Sequence, residues 1–193
     1  MRPEERQHHY SEAMEAEEGA LLHRIAAHDR RAFDALYLRY RWRLLRFIGQ
    51  LVPGAHLLEE ILNDTMLVVW HKAASYNGHS RVSTWIFAIA YREVLRARKR
   101  DYRARRLQPS AESTAWSPSL ESDFIEDEAR AKLHHIVAQL SDEQRAVVEL
   151  TYFHGLGYKE IAQALHCPLN TVKTRMFHAR RRLKALLTLS AED

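Results

Sequence analysis

The chain has 193 residues, with 29 Lys or Arg, 25 Asp or Glu, 12 His and a single Cys, for a formal net charge of +4. That length suffices for one domain or two small ones. Cys167 alone closes no internal disulfide, the histidines lack CxxC or HExxH company for zinc, and no stretch reaches the roughly 20 apolar residues that span a bilayer.

Charge is segregated along the chain. Residues 92–106 hold eight basic and two acidic side chains, whereas residues 107–128 hold six acidic and none basic. A basic tract followed by an acidic one reads as a nucleic-acid surface and then a solvated connector. The charged N-terminus has no signal-peptide apolar core, so a cytoplasmic location is expected. Nothing resembles a nucleophile with its base, a phosphate loop or a metal cage. The expectation is a chain without catalysis, cofactor, metal or small-molecule substrate.

In chain order, residues 1–24 read as a polar, acidic N-terminal extension, frayed or helical. Phe33, Leu36, Tyr37, Tyr40, Leu44, Phe47 and Ile48 follow at helical spacing, and that helix stops before Pro53 and Gly54. A second helix over 57–71 turns Leu58, Ile61, Leu62, Thr65 and Val69 inward. Its outer face carries Glu59, Glu60, Asn63 and Asp64. After a loop with Asn77 and Gly78, a third helix runs from about residue 82 to 103, exposing Arg92, Arg96, Lys99 or Arg100, and Arg103. Trp70 and Trp85 lie on amphipathic helices and are expected in the core.

Residues 108–122, with two prolines and five serines, read as a linker. Helical periodicity resumes through Phe124, Leu133, Ile136, Val137 and Leu140. Ser141 and Gln144 then form a capping box, Gly155 and Gly157 break the helix, and Ile161, Ala162 and Leu165 give a short helix its buried stripe. A tight turn at His166, Cys167 and Pro168 leads to a last helix with Val172, Met176, Ala179, Leu183 and Leu187 on one face. Its other face carries Asn170, Thr171, Lys173, Thr174, Phe177, His178, Arg181 and Arg182, flanked by Arg175, Arg180 and Lys184. From 169 to 184 there are six basic residues and no acidic one. A short helix, a tight turn and a basic amphipathic helix make a helix-turn-helix suited to the major groove.

No strand-like alternation is long enough for a sheet. The expected fold is all-α, with two small helical domains joined by a flexible linker. The residues alone leave open a stand-alone helix-turn-helix regulator that binds operators without polymerase, or an interaction module that titrates another regulator. The first reading leaves the acidic helix and the 76–84 loop without a task, and the second leaves both basic surfaces unexplained.

Two segments together resemble the extracytoplasmic-function (ECF) sigma factors of bacterial RNA polymerase. EEILNDTMLVVWHKAASYNGHSRVSTWIFAIAYREVLRARKR resembles sigma region two, and LSDEQRAVVELTYFHGLGYKEIAQALHCPLNTVKTRMFHARRRLKALL resembles region four. The resemblance covers about residues 25–190. It divides the chain into an extension (1–24), region two (25–107), a linker (108–128) and a region-four helix-turn-helix (129–190). It implies binding of core polymerase, at the β′ coiled coil and the β flap, and of promoter DNA. An anti-sigma factor is a further implied partner and could hold the chain near the inner membrane.

Residue by residue, the resemblance places Glu59, Glu60, Asn63 and Asp64 on the β′ coiled coil. Tyr76, Asn77, His79, Ser80 and Arg81 match the pocket for a base flipped from the −10 element. Arg92, Arg96 and Arg100 fall beside the melted edge. In region four, Lys173, Thr174, Phe177 and His178 would read −35 base edges, while Asn170, Thr171, Arg175, Arg181 and Arg182 hold phosphates. Four positions depart from the family's habit. Leu57 stands where an acidic residue is usual, Asn63 where Gln is usual, and His166 and Asn170 where glycines are usual. His and Asn tolerate positive φ, so the turn is expected to survive.

Overall fold

The computed structural model describes residues 3–52, 56–107 and 136–189. Every regular element among the described residues is a helix. Pro53 and Gly54, the linker expected at 108–128, and Phe124 and Leu133 lie outside the described residues.

The first unit has four long helices: α1 (Pro3–Ala26), α2 (Arg30–Gly49), α3 (His56–Lys72) and α4 (Val82–Leu107). The apolar stripe of each helix turns to a common centre, where Leu22, Ile25, Leu36, Tyr40, Leu44, Phe47, Ile48, Ile61, Leu62, Met66, Ile86 and Phe87 are almost wholly buried. Asp29 starts α2 by accepting from the Ala32 N–H at 3.2 Å, and it also receives two bonds from the Arg24 guanidinium. His28, at φ 63°, makes the reversal between α1 and α2. Trp70 and Trp85 lie half-buried at the core's edge, Trp70 against Phe33 and Trp85 against Tyr76.

The boundary read at residue 25 is not a break in the structure, because α1 runs through it. Leu21, Leu22 and Ile25 are buried, and the buried Glu18 carboxylate accepts a hydrogen bond from Tyr40 Oη at 2.7 Å. A helix with three apolar residues in its last two turns packs wherever a groove awaits them. That groove is formed by α2 and the short 3-10 turn Ala73–Ser75.

The second unit contains α5 (Asp142–Tyr152), α6 (Tyr158–Ala164) and α7 (Leu169–Leu189). The capping box is present: Gln144 N–H donates to Ser141 Oγ, and Ser141 N–H donates to Gln144 Oε1. Gly155, at φ +67°, turns the chain out of α5, and Gly157 N–H donates to Glu160 Oε2 at the start of α6. His166 takes φ 49° in the turn before α7, with the Cys167 N–H returning to Ala162 O. Asn170 is helical and needs no glycine-like freedom. Val172, Met176 and Ala179 are buried as expected, whereas Leu187 is 49% exposed near the end of α7.

The two units touch. Helix α6 lies along α4, and α5 meets the end of α2.

Candidate nucleic-acid interface

Three surfaces emerge from these helices. On α3, Glu59, Glu60 and Asn63 are exposed and Asp64 is partly so, one helical stripe as their spacing requires. The stripe is already engaged by the chain's own cations. Arg41 of α2 reaches Glu59 at 3.2 Å, while Arg100 of α4 reaches Glu60 at 2.7 Å and Asp64 at 3.7 Å. Leu67 continues the stripe and is 54% exposed. Leu57 belongs to the core, so an acid at that position would be buried at considerable cost.

The 76–84 loop is held from within. Tyr76 leans its ring on Trp85 at 5.6 Å and donates its hydroxyl to Ser80 O at 2.6 Å. Burial, and then Glu15 and Glu18, hold its phenol above the ordinary value. Asn77 Oδ1 accepts the His79 N–H, and Gly78 takes φ +72°. His79 and Arg81 remain exposed, and Tyr76 offers only a part of its face. Arg92 and Arg96 are exposed on α4, Arg96 pairing with Glu93 at 2.7 Å.

Arg100 is exposed on α4 as well, and its guanidinium reaches across to Glu60 and Asp64 of the acidic stripe.

On α7, Asn170, Lys173, Thr174, Phe177, His178, Arg181 and Arg182 are exposed, with Thr171 and Arg175 half-buried. Phe177 and His178 stand 5.5 Å apart, ring to ring. Arg175 bonds Cys167 Sγ at 3.8 Å, and Thr174 Oγ1 donates to Asn170 O. At the start of α7 a polar hollow is lined by Asn170, Thr171, Thr174, Arg175 and His178, and on its far side by Ser141, Glu143 and Gln144. Ser141 and Gln144 entered the sequence reading only as a helix cap, and Glu143 not at all. Only the crossing of α5 over α7 brings them there.

Also absent from that reading were an apolar groove and a contact between the units. The groove is lined by Val137, Val148, Tyr152, Phe153, Leu183 and Leu187, with Arg180 and Lys184 at its rim. In the contact, Arg46 Nε donates to the buried Glu149 at 2.5 Å, and the Arg46 guanidinium lies 3.5 Å over the Phe153 ring. Burial pushes Glu149 up to about 7 despite the pull of Arg46. His154, packed against Phe47 and Phe87, is pushed down to about 3 by burial and then by Arg43 and Arg46. It is therefore neutral, and its 3.8 Å approach to Glu149 is not an ion pair.

Among the described residues no cluster of three His, Cys, Asp or Glu could hold a metal ion, and no helix is long and apolar enough to cross a membrane.

The family model for sigma-70 region 2 matches residues 36–105, and that for sigma-70 region 4 matches residues 130–183. The RNA polymerase sigma-H factor of Pseudomonas aeruginosa is 30% identical over 187 residues, covering 89% of this chain and 95% of that protein. The ECF RNA polymerase sigma factor RpoE of Cereibacter sphaeroides is 32% identical over 171 residues, covering 86% and 92%. Among solved structures, the sigma factor RpoE of Bartonella quintana, in complex with the anti-sigma factor NepR, superposes with a TM-score of 0.68 at 25% identity, covering 81% and 96%. CnrH, in complex with the cytosolic domain of CnrY, shares the fold with a TM-score of 0.65 at 22% identity, covering 90% and 98%.

Proposed function

We propose a division of labour for this chain, which belongs to the extracytoplasmic-function group of bacterial RNA polymerase sigma factors. A sigma factor of this group binds core polymerase and directs promoter-specific initiation by reading the −10 and −35 elements. Relatives that match along nearly their whole length, both regions included, disfavour a stand-alone regulator.

The α3 stripe of Glu59, Glu60, Asn63 and Asp64 docks on the β′ coiled coil, and the apolar groove between α5 and α7 takes the β flap. Tyr76, Asn77, His79, Ser80 and Arg81 receive an unstacked −10 base, with Arg92 and Arg96 on the neighbouring backbone. Stacked bases contribute about 1 to 3 kcal/mol each. Flipping is cheapest where the duplex is already opening. Helix α7 enters the −35 major groove, with Lys173, Thr174, Phe177 and His178 at base edges and Asn170, Thr171, Arg175, Arg181 and Arg182 on phosphates. Arg100, engaged with Glu60, serves the docking helix and not the DNA.

The single observation that carries this division is the sorting of exposed charge: acids along α3, bases along α7. The chain itself performs no covalent chemistry. We further propose an anti-sigma partner, since a relative was solved bound to one, and a cytoplasmic place of action, where polymerase and promoter are. Gel filtration of the full chain with core polymerase tests the assignment. Coelution supports it, and a chain that never coelutes while still binding operator duplex alone would restore the stand-alone regulator.

A further inference from the structure

On the face assigned to the −10 strand, Arg81 is engaged by the chain itself. Arg81 Nε lies 3.1 Å from Glu15 of α1 and 3.4 Å from Glu160 of α6, and the buried Thr84 hydroxyl donates to the same Glu160 carboxylate at 3.4 Å. Two carboxylates thus stand where a phosphate or base edge would meet Arg81. Burial holds Glu15 above its ordinary value against the pull of Arg81, with Glu160 and Glu18 adding to the rise.

The contact is anchored away from the loop. Arg46 grips Glu149 and covers Phe153, His154 packs against Phe47 and Phe87, and Arg98 of α4 pairs with Asp142 at the start of α5. Glu149 is buried while Arg46 is partly exposed, so loss of Arg46 would leave a buried carboxylate without its partner. Closure is selective. Glu59, Glu60 and Asn63 on α3 stay exposed, as do Lys173, Phe177, His178, Arg181 and Arg182 on α7.

We infer that the C-terminal unit and the single-stranded −10 element are mutually exclusive occupants of the Arg81 face, with Glu160 standing in for the DNA. This rests on the reading of the 76–84 loop as the −10 pocket. A free chain then binds that strand with its intrinsic affinity reduced by the fraction of open molecules.

The test uses the full chain and a fluorescein-labelled single strand carrying a nontemplate −10 element, with small-angle scattering alongside. Arg46→Glu sets like charges together at Glu149. It should enlarge the radius of gyration and tighten oligonucleotide binding about tenfold, and the charge swap Arg46→Glu with Glu149→Arg should reverse both. Glu160→Arg should reach the same gain without touching the Arg46–Glu149 pair. An Arg46→Glu chain that stays compact overturns the closure, and one that opens but binds no tighter overturns the competition. Should the opened chain bind equally well after Arg81→Ala, the loop reading itself falls, and the inference with it.

Discussion

The imidazole of His154 lies 4.4 Å, centroid to centroid, from the phenyl ring of Phe87, and both its nitrogens are buried without a hydrogen-bond partner. His154 belongs to the C-terminal unit and Phe87 to the N-terminal one, so separation of the units returns the imidazole to water.

That relationship makes closure depend on pH. The charged groups around His154 are Arg43 and Arg46 from α2 and Glu149 from α5, while α4 offers the Phe87 ring. Depressed to about 3 from an ordinary 6.5, His154 supports closure above about 6.5, and that support is lost as the pH falls toward 3. Glu149, raised to about 7 from 4.5, acts oppositely: its support is full below 4.5 and lost as the pH rises through 7. Between 4.5 and 6.5 the two oppose. Glu149→Gln should leave a chain that opens as the pH is lowered from about 7 to about 5, and His154→Phe one that opens as it is raised over the same window. Scattering at each pH reads both, and identical profiles for the two variants would refute the assignment.

Polymerase docking should run through α3. Reversing Glu60 and Asp64 together to Lys should abolish coelution with core enzyme and leave the helical circular dichroism intact. The pairs lost to Arg100 are largely exposed and contribute about 0 to 1 kcal/mol each. Undiminished coelution would remove α3 from the interface.

Within α7, base reading and phosphate holding should come apart. Lys173→Ala or His178→Ala should change which −35 sequence is preferred, by about 1 to 3 kcal/mol of discrimination. Arg182→Ala should weaken all promoters alike and flatten the salt dependence by about one unit of slope. Holoenzyme binding to a panel of −35 variants decides, and the reverse pattern would mean that α7 sits rotated in the groove.

The two departures from glycine near the turn should respond in opposite directions. His166 has φ 49°, so His166→Gly should relieve about 1 kcal/mol of left-handed strain and raise the melting temperature. Asn170 lies in the first turn of α7, where Gly should cost a few tenths of a kcal/mol. A destabilised His166→Gly chain would show that the imidazole makes a contact outweighing the strain.

The helix-turn-helix was legible because its signals are local: a capping box spans four residues, and the Val172, Met176, Ala179 stripe repeats along one helix. The acidic stripe on α3 was legible for the same reason. The docking of helix α1 on the core was not, because Leu21, Leu22 and Ile25 fill too little of a largely polar helix to set up a stripe. The pairing of Arg100 with Glu60 was not legible, since periodicity gives a side chain's direction about its own axis, not which neighbouring helix passes there. Glu149 lies inside the apolar run AVVEL, which gives no sign of a partner for it. Its burial depends on Arg46, 103 positions away.

Because Glu59, Glu60 and Asp64 already hold Arg41 and Arg100, a basic partner arriving on α3 must trade one ion pair for another. Each new bridge frees a guanidinium, so the charge neutralised is smaller than three carboxylates imply. Attachment to core should then weaken only gently as salt is raised, and Arg100→Ala should make the decline steeper. The net driving force must come from water leaving apolar surface. Leu67, one turn beyond Asn63 and Asp64, is placed to supply it at any ionic strength.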